Sequence, residues 1–329
     1  MWGAASRDLF LGLLESRAVR RRNGVGCGAL LARALLLVAS GGCDGLTAQA
    51  QPVEASERPM TPTVPHPPKS KTDQGAKAER KSEADRLDQD MRAGCPREMA
   101  RVADFCVDRW EAHTVLAKTP DVVRSPFEPL RDGEAVIARS AAGVSPQGYI
   151  SRIEAAAACG LAGKRLCRAK EWYRACAGEG RRRMPYGKDE VRGKCNTGKG
   201  HVLTQVFGKR VFLTKDSHYN NPKVNQEPGF LALTGAHDAC KSPEGAFDLV
   251  GNLHEWVADD VSSALPKEIP LEYGEHRLGP RGSGVFMGGY YSSKREHGRG
   301  CAYTTATHAP DYHDYSTGFR CCRDVARGK

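Results

Sequence analysis

Ten of the chain's twelve cysteines fall between Cys95 and Cys322, and this block constrains the fold more than any other feature. A structural zinc site would want paired C-x-x-C units, and the sequence has none. An even number of cysteines in one compact block instead implies disulfides made in an oxidising compartment. The staples matter because periodicity is poor from Arg181 to Ala246, where Gly, Asn, Lys and Pro are frequent. That stretch reads as long loops with scattered short strands, which would ordinarily argue against a compact domain. Native disulfides, at about 2–4 kcal/mol each, offset the loop entropy.

A chain of 329 residues has room for two domains at about 150 residues each, yet its composition divides it into three unequal parts. In the first, residues 1–43, Arg17, Arg20, Arg21 and Arg22 precede an apolar run from Cys27 to Ala39 with small residues after it. This is the layout of a signal peptide, too short for a spanning helix. Two exits are open. Cys43 after Ala-Ser-Gly-Gly resembles a bacterial lipobox, with Ser40 where Leu is usual, and Ala48-Gln-Ala50 offers an ordinary cleavage site. Lipidation of Cys43 is the favoured exit, giving an exported bacterial lipoprotein, periplasmic or on the cell envelope, held to the membrane by its acyl chain. Residues 44–94, the second part, are rich in Pro and Lys with almost no large apolar side chain, and read as a disordered tether. The Arg cluster of the first segment contributes to the formal +10 charge, which is read as a targeting and linker effect, so nucleic acid is not expected as a partner.

The third part, 95–325, carries the fold. Cys95 to Cys106 reads as a hairpin with the two cysteines facing across it, which pairs them. Ser151-Arg-Ile-Glu154 is a capping box ahead of a short helix that Gly160 stops. Arg168 to Ala177 is a second helix, with Trp172 and Cys176 four apart on its inner face. Val285 to Ser293 and Ser316 to Asp324 read as two core strands, and no internal repeat is present. Gly245 to Asp260 packs two Gly turns, an Asn, a Trp and four carboxylates into sixteen residues, with Asp248, Gly251, Leu253 and Glu255 spaced to fold back on one point. Such an oxygen set suits Ca²⁺, with Gly allowing the sharp turn. A plain turn with a buried Trp and solvated acids is the other reading of the same residues.

Eight short stretches match one family in order. They are Cys106-Val-Asp-Arg-Trp-Glu, Ala157-Ala-Cys-Gly-Leu-Ala-Gly-Lys-Arg-Leu, Glu171-Trp-Tyr-Arg-Ala-Cys, Met184-Pro-Tyr-Gly, Cys195-Asn, Phe247-Asp-Leu-Val-Gly-Asn-Leu-His-Glu-Trp, Gly288-Gly-Tyr-Tyr and Gly318-Phe-Arg-Cys. Together they resemble the formylglycine-generating enzyme, or sulfatase-modifying factor, domain. The resemblance implies an α+β fold similar to C-type lectins, with a short antiparallel sheet, two helices and much irregular chain. It also implies Ca²⁺ at Asp248 and Glu255 with the carbonyls of Gly251 and Leu253, and a second Ca²⁺ at Asn196 and the carbonyl of Thr197. Its helix cysteines imply Cys159–Cys321 and Cys176–Cys301. Cys167–Cys322 is then an extra pair, and Cys195–Cys240 completes five.

The resemblance fails at the catalytic position. The generating enzymes oxidise a substrate cysteine with O₂ through two cysteines that bind Cu(I) a few residues after the Gly-Gly. Here Ser292 or Ser293 stands where the first is expected, and no cysteine follows until Cys301. A hydroxyl is a poor ligand for a metal that selects soft thiolates, so copper is not expected and Cys301 is left as an outside candidate. Relatives acting beside non-haem iron need two His and a carboxylate. Glu296, His297, His308, His313 and Asp314 lie in the C-terminal loops without that spacing, and His254 is expected to pack or hydrogen-bond beside Trp256. Arg181 to Arg183 and Lys209-Arg210 read as solvated loop charge. Tyr290, Tyr291, Tyr303, Tyr312 and Tyr315, with Arg295 and Arg299, suggest a cleft for a peptide, glycan or protein ligand, with about half of the tyrosines expected in the core. The expectation is a non-catalytic binding or accessory module with structural calcium. The alternative is an active oxidoreductase, of the formylglycine-generating or non-haem iron type, acting on a protein or small thiol substrate.

Overall fold

Apolar residues at Met99–Val102 (β1) and Phe105–Asp108 (β2) pair antiparallel, Met99 opposite Asp108 and Val102 opposite Phe105. The two strands are the first of eleven short ones in a computed structural model that describes residue 82 and residues 85–92, 94–209, 216–262, 264–272 and 278–325. The expected signal peptide with Cys43, and the tether through residue 81, lie outside the described residues. Ahead of β1 is a helix, α1, over 85–92. Then come β3 (Ala112–Leu116), β4 (Thr119–Val123), β5 (Val136–Ser140), α2 (Arg152–Leu161), β6 (Arg165–Leu166) and α3 (Ala169–Ala177). Three short helices follow, α4 (Val202–Phe207), α5 (Asp216–Tyr219) and α6 (Lys223–Gln226). The rest is β7 (His254–Asp260), α7 (Leu265–Glu268), β8 (Gly284–Met287), β9 (Thr304–His308), β10 (Thr317–Phe319) and β11 (Cys321–Asp324).

The strands form three sheets in the orders β1-β2-β11-β6, β10-β7-β8-β9 and β4-β3-β5. Pairing is antiparallel except between β7 and β10, which run parallel with Glu255 opposite Gly318. Strand β7 is buried on both faces at its start, and its alternation feeds two cores. Trp256 joins Ile150, Phe286 and Phe319 on one side, while Val257 joins Trp172, Leu249 and Met287 on the other. Helix α3 meets that second core with Ala169, Trp172, Ala175 and Cys176, the i, i+3, i+4 stripe of an amphipathic helix. Helix α2 lays Ala155, Ala158 and Cys159 inward, small residues that let it approach the first core closely. Its capping box is complete: Ser151 accepts from Glu154 N–H, and Glu154 accepts from Ser151 N–H.

The structure brings together each of the five cysteine pairs: Cys95–Cys106, Cys159–Cys321, Cys167–Cys322, Cys176–Cys301 and Cys195–Cys240. Three expectations are corrected. The tether does not run to residue 94: α1 is helical, and its Asp90 is buried in an ion pair with Arg109, which gives that end of the segment a partner on the domain. Gly160 does not stop α2, which runs through Leu161 before Gly163 takes the left-handed conformation at φ 68°. The 181–246 stretch carries short helices, not strands; among its described residues β-pairing is limited to two bridges, Met184 with Gly187 and Lys241 with Phe247. Among the described residues no helix is long and apolar enough to cross a membrane.

Candidate functional site

Three buried carboxylates gather around one buried guanidinium where β2, β7 and β10 meet. Arg320, between β10 and β11, is fully enclosed. Its Nε and Nη2 donate to Glu255 Oε2 and Oε1, both at 2.6 Å, and Nη1 and Nη2 reach the carbonyls of Asp108 (2.9 Å) and Phe247 (2.8 Å). Trp172 Nε1 donates to Glu255 Oε2 at 2.7 Å, which ties helix α3 to the same carboxylate. Glu111, just before β3, accepts from Asn252 Nδ2 at 2.6 Å and from Leu253 N–H at 3.1 Å. Asp248 Oδ2 accepts from Gly235 N–H at 2.6 Å.

The intervening turn is bent back by positive φ at Asp248 (58°), Gly251 (84°) and Asn252 (58°). At Gly251 a Cβ would lie 2.2 Å from Asn196 O, so the 196–197 peptide packs directly on this turn and only Gly is accommodated. Burial pushes the Asp248 carboxyl up to about 6; Gly235 N–H and Arg320 oppose that, and the Glu255 charge adds to it. Burial also holds Glu111 well above the carboxylate range, reinforced by the charges of Asp248 and Glu255. With all three carboxylates ionised, one guanidinium leaves the pocket short of positive charge, which is costly in a low dielectric.

That deficit bears on calcium. Asp248 and Glu255 lie at the two ends of the turn, with Gly251 and Leu253 between them. Two carboxylates plus carbonyls form a hard-oxygen set, and a dication there would correct the charge imbalance. No three His, Cys, Asp or Glu side chains among the described residues form a metal-binding group, so a cation held here would need carbonyl oxygens to complete its shell. At Asn196, expected to hold a second Ca²⁺ with the carbonyl of Thr197, the side-chain Oδ1 is buried without a hydrogen-bond partner among the described residues. Asn196 Nδ2 donates to Phe230 O at 2.9 Å, and the Lys199 ammonium donates to that same carbonyl at 2.8 Å and to Gly229 O. A side-chain cation is therefore already in place beside Asn196.

At the expected catalytic strand the hydroxyls are engaged with backbone. Ser292 Oγ donates to Gly200 O at 2.7 Å, and Ser293 Oγ accepts from Tyr290 N–H at 2.9 Å. Cys301 is disulfide-bonded to Cys176 and offers no thiolate. The C-terminal His and carboxylate residues are dispersed: His313 bonds Asn220, His308 stacks on Tyr312, and Asp314 accepts from Ser316 and Tyr312. Glu296 accepts from Tyr303 Oη and Lys294 N–H. His254 is buried among Phe286, Tyr290 and Tyr303, and burial lowers its pKa well below the ordinary imidazole value.

Tyr291, Tyr303 and Tyr315 are buried, and Tyr290 and Tyr291 pack with Tyr149 and Tyr315 in a third core, because a large ring next to the double glycine finds protein on both sides. Arg295 pairs with Glu190, and Arg299 lines a different hollow with Tyr173. Glu111 and Arg320 were missed as site residues. Their signal was present: a lone Arg between Phe319 and Cys321-Cys322, and a Glu at the end of the Cys106 strand motif, are charges inside apolar sequence.

A family model described as the sulfatase-modifying factor enzyme 1-like domain matches residues 77–325. Among solved structures, PvdO from Pseudomonas aeruginosa is similar at 16% identity and a TM-score of 0.39, over 67% of this chain and 80% of that one. CarF is similar at 14% identity and a TM-score of 0.37, over 68% and 87%. The U1 variant of the Major Tropism Determinant is similar at 16% identity and a TM-score of 0.38; the match takes in 70% of this chain and 53% of that one, so the chain spans about half its length. No curated protein matches the sequence.

Proposed function

Because the chain belongs to the sulfatase-modifying factor enzyme 1-like domain family, we propose that it is an exported member that binds a ligand or partner protein without the family's oxidation. One observation carries the reading: Cys301 is spent in a disulfide with Cys176, and the hydroxyls of Ser292 and Ser293 are bonded to backbone groups. Copper(I) chemistry draws on soft thiolates, and ten cysteines of the domain are committed in five pairs. A peptide, glycan or protein is the ligand class for such a scaffold.

Calcium in this reading is structural. Asp248 and Glu255, with the carbonyls of Gly251 and Leu253, would hold it, and it would supply the positive charge that Arg320 alone does not. Export is supported by the disulfide content, since such bonds persist in oxidising compartments. Acylation of Cys43 would then tether the domain to the cell envelope.

The test is a thiol count joined to a copper titration. Unreduced, denatured protein spanning residues 95–329 should yield no reactive thiol, and Cu(I) should be taken up no better than by a disulfide-bonded control protein. Stoichiometric tight Cu(I) binding, or O₂-dependent conversion of a cysteine-containing peptide, would establish the oxidoreductase instead.

A further inference from the structure

We propose that the groove between helix α3 and the 299–302 turn binds an anionic polysaccharide, whose carboxylate or sulfate groups are held by the guanidinium run Arg181 to Arg183. The proposal rests on the binding-module reading and supplies its ligand class. Two hollows of about 540 and 470 Å³ share Tyr173, Arg181 and Pro270 and lie side by side, together lining the trough. Eight basic and four acidic residues line it. Two of the basic ones are satisfied within the fold, Arg174 by Glu179 and Glu244, and Arg299 by Glu272. Arg181, Arg182, Arg183 and Lys188 are exposed and make no ion pair among the described residues. These four cations line the trough without an internal counter-charge, and an anionic ligand would supply one.

The trough is built rigidly, which lowers the entropy lost when it is filled. Gly178 ends α3 in a positive-φ conformation (65°), Arg182 N–H donates to Ala177 O at 2.8 Å, and Arg183 O accepts from Cys301 N–H at 2.8 Å. Cys176–Cys301 joins the two walls covalently. At Gly300 a Cβ would lie 2.1 Å from Arg183 O, so the walls meet backbone to backbone.

The lining selects among polyanions. It comes from α3, the 178–183 turn, the end of α7 and the 299–302 turn, with no strand edge for a peptide to extend, the commonest backbone-based route to peptide capture. Half-buried Tyr173 lines both hollows, and an aromatic ring at such a place is suited to packing against a sugar. Guanidinium forks match the planar oxygens of carboxylate and the oxygens of sulfate in paired hydrogen bonds. Five disulfides place the domain in an oxidising compartment, where a polysaccharide polyanion is a more available partner than nucleic acid.

The experiment titrates the full chain with polygalacturonate, dextran sulfate and neutral dextran, by calorimetry at low salt and again at high salt. At least one charged polymer should bind, salt should weaken it, and the tighter of the two identifies carboxylate or sulfate as the group held. Arg182→Glu/Arg183→Glu should lose about tenfold or more in affinity, the scale of one or two charge-assisted contacts. Lys188→Glu, elsewhere in the trough, should lose affinity as well, whereas Lys118→Glu in the β3–β4 turn should not. Binding by neither charged polymer, equal binding of neutral dextran, undiminished affinity in the natively melting variants, or tighter binding of polyglutamate or a single-stranded oligonucleotide overturns the proposal. The copper and thiol measurements judge the underlying reading separately: Cu(I) uptake would sink the binding module, while failure here with no copper uptake removes only the polysaccharide.

Discussion

Replacing Asp248 with Asn should stabilise the calcium-free protein and abolish its response to calcium. Burial raises this carboxyl from 3.8 to about 6, and at about 1.4 kcal/mol per pKa unit the difference is roughly 3 kcal/mol. For an acid with a raised folded-state pKa, the folded chain holds the proton more tightly than the unfolded chain does. The associated stability is therefore complete below pH 3.8 and is lost as pH rises through about 6. At neutral pH without a dication the ionised Asp248 carries that penalty in full. Asn stays neutral, and its Oδ1 can keep the bond from Gly235 N–H. In EDTA at pH 7.5, Asp248→Asn should therefore exceed the natural protein by up to about 3 kcal/mol, some 6–12 °C in melting temperature for a domain of this size. Near pH 4 the two should converge. Millimolar calcium should raise the natural protein and leave the variant where it was. Melting curves in EDTA and in calcium at both pH values check all three statements. A variant less stable than the natural protein in EDTA at neutral pH, or a calcium shift of equal size in both, would refute the placement of the ion at Asp248.

Arg320→Met should lose at least about 3–5 kcal/mol in urea denaturation, because it strands the buried Glu255 and removes the donors to Asp108 O and Phe247 O. Arg320→Lys should recover little of this, since an ammonium cannot span both oxygens of Glu255. Gly251→Ala forces a Cβ to within 2.2 Å of Asn196 O at φ 84°, so both stability and calorimetric calcium affinity should fall, the former by about 2 kcal/mol or more. Unchanged calcium affinity in that variant would separate the turn from the ion.

Local chemistry was the legible part of the chain. Ser151 and Glu154 cap α2 because their spacing alone satisfies its first turn, and the Trp172–Cys176 stripe buries because helical periodicity demands it. The end of α2 was misread because Gly160 tolerates helix as readily as it ends one, and Gly163 takes the left-handed turn. That Asp248, Gly251 and Glu255 belong to one sharp turn was legible, since two acids flanking a Gly form a local pattern. What closes the site was not legible: Arg320 and Glu111 arrive from opposite ends of the domain, and no local pattern announces which distant charge meets which. The same limit hid the fate of the tyrosines. Tyr290 and Tyr291 follow a double glycine in the sequence, and only the return of Tyr149 and Tyr315 decides which of the rings is enclosed.

The last strand, β11, lies between β2 and β6 and carries Cys321 and Cys322 side by side. Their bonds reach back 162 and 155 residues, and Cys301 reaches back 125 to Cys176. Three of the five cross-links must therefore wait until nearly the whole polypeptide has emerged, leaving Cys159, Cys167 and Cys176 exposed to wrong partners in the meantime. Premature termination shortly before Cys321 would strand two thiols and remove an interior strand together. The domain's maturation is thus governed from its tail, and an oxidant or isomerase acting once the last strand is available is the step on which its yield should depend.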